Sequence, residues 1–220
     1  MESGLENRVV LVTGASGGIG SSMVRAFLAE DSKVAVHYGN QRDSAEKLAT
    51  ESEGRAKAFQ ADLTQEAEVE RLFGDIESEL GPVECVIANA GIWPAENVPI
   101  HEMTLTQWNK TLAVDLTSVF LTMRRFFIGI RNFELKDPSA VLIGSTAAVF
   151  GEAGHVDYAA AKAGISYGML QTLKNEISQL TRSGRVNAVC PGWVMTPMAE
   201  KFADCLLYTS DAADDIPRGD

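Results

Sequence analysis

Short apolar runs alternate along this chain with longer stretches in which apolar residues recur every three or four positions. The runs Arg8–Thr13, Lys33–Tyr38, Ala56–Gln60, Val83–Asn89, Ala140–Ser145 and Arg185–Cys190 read as strands. VVLVT and CVIAN are apolar throughout, as parallel strands covered on both faces should be. Between them the spacing predicts helices at about Ile19–Glu30, Arg42–Glu53, Gln65–Leu80, Thr106–Arg131 and Tyr158–Thr181. Regular βα alternation with right-handed crossovers gives an α/β fold: a doubly wound, Rossmann-type parallel sheet with helices on both faces. No repeat or interdomain linker breaks the pattern, so a single domain is expected.

Charge narrows the partners. The net charge of −11 repels phosphate backbones, so no nucleic-acid partner is expected. No apolar run is long enough to cross a bilayer, and MESGLENRVV lacks an apolar signal segment. The expectation is a cytoplasmic protein without a membrane partner. Cys85, Cys190 and Cys205 show no paired spacing, and the first two, set in apolar runs, read as buried free thiols. His37, His101 and His155 are scattered and give no metal-ligand spacing, so no metal is expected.

Chemistry enters at Thr13-Gly14-Ala15-Ser16-Gly17-Gly18-Ile19-Gly20, which leaves the first strand and opens the first helix. Glycines there let the backbone approach a pyrophosphate, and the helix N-terminus offers N–H groups and partial positive charge. Further on, Tyr158 and Lys162 are four apart and share one helix face, while Ser145 ends the fifth strand, where ligands of open α/β sheets bind. Carbonyl reduction needs a hydride on carbon, which a nicotinamide carries, and a proton on the developing alkoxide. A neutral tyrosine hydroxyl can give that proton. Bringing a tyrosine from about 10 to near 7 asks for about 4 kcal/mol. An ammonium about 4 Å away supplies about that much at an effective dielectric near 20. Lys162 is expected to do this, and Ser145 to hydrogen-bond the substrate oxygen.

The glycine spacing is GxxxGxG, and with the Ser-Tyr-Lys order the chain resembles the short-chain dehydrogenase/reductase family from about Glu6 to Glu200. In flavour it is similar to 3-oxoacyl-carrier-protein reductases and related carbonyl or sugar-alcohol reductases. The resemblance implies a cofactor site made of Gly14, Ser16, Gly18, Ile19 and Gly20, of Asp62 and Leu63 at the adenine, and of Asn89-Ala90-Gly91. It adds Lys162 at the nicotinamide ribose, and Pro191, Gly192, Val194 and Thr196 beside the nicotinamide. It also implies a homodimer or homotetramer built on the two long helices, for which Val119, Phe120, Met123 and Phe127 are candidates, alongside a plain core role. One departure is Val114-Asp115-Leu116, where the family often has asparagine completing a proton relay to the lysine. That asparagine is thought to act through its main-chain carbonyl and a water, which Asp115 would keep.

No carboxylate stands at or just after the end of the second strand, where NAD selectivity would need one. Tyr38, Asn40 and Arg42 stand there instead, so NADP(H) is expected over NAD(H). A small carbonyl or alcohol substrate would meet Trp93, Val149, Phe150, Trp193 and Met195, unless these only pack loops. Competing readings are an extended-type epimerase or dehydratase, a non-catalytic cofactor-binding protein, and an inactive fragment of an active parent. The last arises because the pattern stops after PGWVMTPMAEKFAD. CLLYTSDAADDIPRGD resembles one reading frame of a transposase-based sequencing adapter. The expectation is a native domain over residues 1–204 and a non-native tail over 205–220, with the last strand and lid missing and the sixth strand an exposed edge.

Overall fold

The computed structural model describes residues 3–196. The boundary expected at Asp204, Cys205 and the tail beyond it lie outside the described residues. Six parallel strands form one sheet: β1 (Val9–Val12), β2 (Lys33–Tyr38), β3 (Ala56–Gln60), β4 (Cys85–Ala88), β5 (Ser139–Ile143) and β6 (Arg185–Val189), in the order β3-β2-β1-β4-β5-β6. The order reverses between β1 and β4, where Val10 is in register with Val34 on one side and Cys85 on the other. The crevice beyond the carboxyl ends of these two strands is where such sheets bind ligands.

Side-chain alternation builds two cores. Val9, Leu11, Ala35, Val86, Ala88, Ala140 and Leu142 face one layer. Val10, Val12, Val34, Val36, Cys85 and Ile87 face the other. The second layer is closed by Val24 of α1 (Gly18–Ala29) and by Ala45 and Leu48 of α2 (Arg42–Thr50). The first is closed by α3 (Glu66–Glu79), whose Val69, Leu72, Phe73 and Ile76 repeat at helical spacing and are buried.

Each long predicted helix is two α-helices joined by a π-helical turn. The stretch expected as Thr106–Arg131 is α4 (Leu105–Leu112), a π turn at Ala113–Thr117 and α5 (Ser118–Asn132). That expected as Tyr158–Thr181 is α7 (Val156–Ala163), a π turn at Gly164–Met169 and α8 (Leu170–Leu180). A π turn inserts a residue without breaking the apolar stripe, so periodicity passes over it. The one-turn α6 (Ala147–Phe150) is too short for any period and was not anticipated. Strand β5 ends at Ile143, so Ser145 lies in the loop two residues beyond it rather than closing the strand.

Of the interface candidates, Val119 and Met123 are buried in the chain's own core, Phe127 packs partly against it, and Phe120 is 51% exposed. No helix among the described residues is long and apolar enough to cross a membrane.

Candidate active site

The glycine loop is held by hydrogen bonds from three strands. Thr13 Oγ1 accepts from the N–H groups of Asn89 and Ala90, both at 2.9 Å, and donates to the Ile87 carbonyl at 3.2 Å. Asn89 Nδ2 donates to the carbonyls of Thr13 at 2.9 Å and Gly14 at 3.2 Å. The Asn-Ala-Gly run thus clips β1 to β4 at the reversal point. Gly14 has φ +61°, and a side chain there would meet the Ala90 backbone at 2.8 Å. Glycine is the residue that accepts both conditions.

His37 is a member that sequence reasoning missed. Its Nδ1 accepts the Gly14 N–H at 3.0 Å, and Nε2 lies 3.1 Å from the Ala61 carbonyl, to which it donates. Only the neutral ring with its proton on Nε2 makes both bonds. Burial lowers its pKa from 6.5 to about 4, against the Ala61 hydrogen bond. Above 6.5 the ring is neutral folded and unfolded, and its contribution is fully present. Between 6.5 and 4 the unfolded chain binds a proton that the fold refuses. Denaturation measured across this range is expected to lose roughly 3 kcal/mol through this one group. In His37→Gln that part of the acid dependence should vanish. An equally steep fall in the variant would clear His37.

At the other wall of the crevice, α7 begins at Val156 and places Tyr158 and Lys162 one turn apart toward the end of β5. Tyr158 is hydrogen-bonded with Ser145, whose Oγ also accepts from the Ala147 N–H at 3.2 Å. The Tyr158 ring is packed edge-to-face by Trp93 at 4.7 Å between centroids, and Trp93 stacks on His155 at 4.0 Å. Asp157 Oδ1 accepts the Tyr158 N–H at 2.9 Å, and its Oδ2 accepts from Thr111 at 2.7 Å, which ties α7 to α4.

Lys162 is 5% exposed; its Nζ donates to the Ile143 carbonyl at 3.1 Å and lies 5.6 Å from the Tyr158 ring centre. Burial lowers its pKa, opposed by Asp115 and then by Cys190. Tyr158 is pushed up to about 12, first by burial; the Ser145 bond lowers it and the charge of Asp115 raises it. The expectation that Lys162 alone would bring this tyrosine toward neutrality is therefore corrected. The ammonium is bonded to a main-chain carbonyl, and burial, the largest influence on the tyrosine, moves it upward. Tyr158 holds its proton throughout the neutral range, which suits a donor.

Asp115 also departs from expectation. Its side chain is fully buried, and Oδ1 accepts the Ile92 N–H at 2.7 Å. Oδ2 is buried without a partner. Burial raises its pKa to about 6, opposed by Lys162 and by the Ile92 bond. The carboxylate, rather than only the main-chain carbonyl, enters the site.

Two cavities meet at Ser145 and Tyr158. One, about 280 Å³, runs from Gly14, Ser16, Gly18, Ile19 and Gly20 past Asn89, Ala90 and Gly91 to Lys162, Pro191, Gly192 and Thr196. It begins at the glycine loop, where the N-terminus of α1 offers N–H groups and partial positive charge to phosphates, and ends at Lys162, so its lining suits a dinucleotide. Gln41 lines it as well, a position that sequence reasoning passed over. The other cavity, about 130 Å³, is lined by Ile19, Trp93, Glu152, Trp193 and Val194 together with Ser145 and Tyr158.

Six predicted cofactor contacts fall outside the first cavity, and one of them, Val194, lines the second. Tyr38 and Asn40 lie at and beyond the end of β2, and Arg42 is exposed and paired with Glu46 at 2.6 Å. Asp62 Oδ1 accepts from the N–H of Thr64 at 2.9 Å and from its hydroxyl at 2.7 Å. The Leu63 side chain is buried in the core. Of the pocket candidates, Val149 and Phe150 are exposed on α6, and Met195 is 68% exposed.

Residues 8–205 match the protein family described as short chain dehydrogenase. The chain is 36% identical to 3beta-hydroxysteroid dehydrogenase 1 of Eggerthella lenta over 211 residues, covering 93% of this chain and 77% of that one. It is 35% identical to nodulation protein G of Rhizobium meliloti over 198 residues, covering 90% and 78%. With a 3-oxoacyl-[acyl-carrier-protein] reductase of Synechocystis it shares 32% over 203 residues, again covering 90% and 78%.

Proposed function

Since this chain belongs to the short chain dehydrogenase family and is an NAD(P)-dependent oxidoreductase, we propose that it interconverts a carbonyl and a secondary alcohol with Tyr158 as general acid and base. The observation that carries this reading is that Ser145 and Tyr158 line both cavities, with Lys162 in the one that begins at the glycine loop. The nicotinamide, when bound, supplies or takes the hydride. Ser145 Oγ donates to the substrate oxygen and holds it within reach of the Tyr158 hydroxyl. Tyr158, protonated at neutral pH, gives its proton to the oxygen as negative charge develops there. Lys162, with Nζ fixed on the Ile143 carbonyl, has donors left for ribose hydroxyls and a charge that favours the phenolate left behind.

The substrate wall combines two indoles, Ile19, Ala147 and Val194 with the hydroxyl-bearing Thr146 and Thr196, and Glu152 is its one acidic side chain, which favours an uncharged, largely apolar carbonyl compound. The named relatives suggest the panel to try: a 3-oxoacyl thioester and a 3-ketosteroid. Purified protein with NADPH or NADH, followed by nicotinamide absorbance and blanked with Tyr158→Phe, tests the reading. Lack of carbonyl-dependent turnover across acyl, steroid and sugar ketones would overturn it.

NADP(H) is the cofactor we favour. Strand β2 ends without a carboxylate, and Arg42 opens α2 immediately beyond. Its guanidinium is engaged by Glu46, but exposed pairs of this kind are weak and yield to a phosphate dianion. Arg42→Ala should raise KM for NADPH by about tenfold, the scale of one lost phosphate contact, and leave KM for NADH nearly unchanged. Equal effects on both cofactors, or a higher wild-type kcat/KM with NADH, would reverse the assignment. The same reading takes the enzyme as a cytoplasmic homo-oligomer, with exposed Phe120 on α5 in the contact.

A further inference from the structure

Asp115 puts a carboxylate beside the Tyr158/Lys162 pair, and the structure shows where that charge lies. Asp115 and Lys162 converge on Gly91: a Cβ built there would meet Asp115 Oδ1 at 2.7 Å and Lys162 Nζ at 3.2 Å. The two charged atoms face each other across the space that a side chain at Gly91 would fill, within about 6 Å. Asp115 is fully buried and Lys162 is 5% exposed, so solvent screens neither. One carboxylate oxygen is bound by the Ile92 N–H, while the other, Oδ2, is buried without a hydrogen-bond partner. The charged groups facing this point are few. Lys162, Tyr158 and Asp157 come from α7, and the Cys190 thiol approaches Lys162 from beyond β6. Asp157 is itself bound by Thr111 and by the Tyr158 N–H.

We propose that the Asp115 carboxylate sets the pH at which the Tyr158/Lys162 pair gives up its proton, holding Tyr158 in its donor form further into the alkaline range than an asparagine would. The reason is the net charge of a buried set. With Asp115 ionised, Tyr158 neutral and Lys162 protonated, the set is neutral, and losing a proton makes it anionic. With asparagine the set starts cationic and becomes neutral on losing a proton. Low-dielectric surroundings favour the neutral set in each case. The carboxylate therefore delays proton loss from Tyr158 and from Lys162 alike. Asp115 touches no reacting atom in this account; it acts through the charges of Lys162 and Tyr158.

This rests on the reading of Tyr158 as proton donor, and Asp115→Asn tests it because Asn Oδ1 can still accept the Ile92 N–H. In the variant, the alkaline limb of kcat/KM for reduction and the rising limb for oxidation should both move about one unit to lower pH. At a fixed pH on either limb that is about a tenfold change. Tyr158 ionisation can be read without turnover, by stopped-flow pH jump, as the tyrosinate absorbance that disappears in Tyr158→Phe. That signal should also move to lower pH. Loss of packing alone would lower activity at every pH and leave the limbs in place. A tyrosinate signal that stays put or moves to higher pH overturns the proposal, with or without a carbonyl substrate. A shifted signal with no carbonyl turnover sustains it and overturns the catalytic function instead.

Discussion

Tyr158→Phe is expected to lower kcat/KM for carbonyl reduction by roughly 10²–10⁴-fold, the range of a positioned general acid, while the cofactor dissociation constant changes less than about twofold. The substitution removes one oxygen and little else. The phenyl ring keeps the edge-to-face contact with Trp93 and its place beside the Lys162 ammonium. Ser145 keeps the Ala147 N–H as a partner when its bond with Tyr158 is lost. Lys162, held by the Ile143 carbonyl, does not depend on the hydroxyl for its position. The fold should therefore be about as stable as wild type. Steady-state kinetics and nicotinamide fluorescence titration separate the two effects. Retention of a tenth or more of the wild-type rate, about 1.4 kcal/mol or less in barrier, would take the proton-donor role from Tyr158.

Gly20→Ala should be the most damaging single-methyl change in the cofactor site. A Cβ at Gly20 would overlap the Gly14 carbonyl oxygen and come within 2.8 Å of Ala15 Cα and 3.0 Å of Asn89 Nδ2. Two of these three are backbone atoms, which no rotamer change relieves. To make room, the loop must move off the first turn of α1, and Asn89 must loosen its bonds to the Thr13 and Gly14 carbonyls. Overpacking of this kind costs typically 1–3 kcal/mol, and misplacing the phosphate-facing N–H groups should weaken cofactor binding by about 100-fold. Gly74→Ala is the control: it lies on an exposed part of α3 with open space around a new Cβ. There alanine should stabilise by roughly 0.5–1 kcal/mol. Thermal unfolding and cofactor titration of the two variants should give opposite signs of stability change. Wild-type affinity in Gly20→Ala would mean that the loop tolerates the methyl group and that the crowding is not functional.

The glycine-loop half of the candidate site was legible because its signals are local. Gly14, Gly18 and Gly20 follow a strand and open a helix, and a chain read in order displays that. Tyr158 and Lys162 were legible for the same reason, since four residues on a helix define a shared face. Leu63 was misplaced because adjacency to Asp62 carries no information on which side chain turns inward; it lies in the core. Val119 and Met123 were left between interface and core because both roles leave the same apolar stripe. His37 gave no signal: it is one polar letter in a buried strand, and its meaning comes from Gly14 and Ala61, 23 and 24 residues away.

By itself the sequence determined the parallel α/β sheet, the glycine loop and the Ser145, Tyr158 and Lys162 set. Periodicity records which residues are buried, and short spacing records which share a face. Tertiary structure alone decided the protonation of the site. It put Asp115 in a π turn against Gly91, bonded Lys162 to Ile143, and packed Tyr158 so that burial pushes its pKa upward. A pKa is set by burial and by charges brought together across the fold, and these are distances through space that no spacing along the chain encodes.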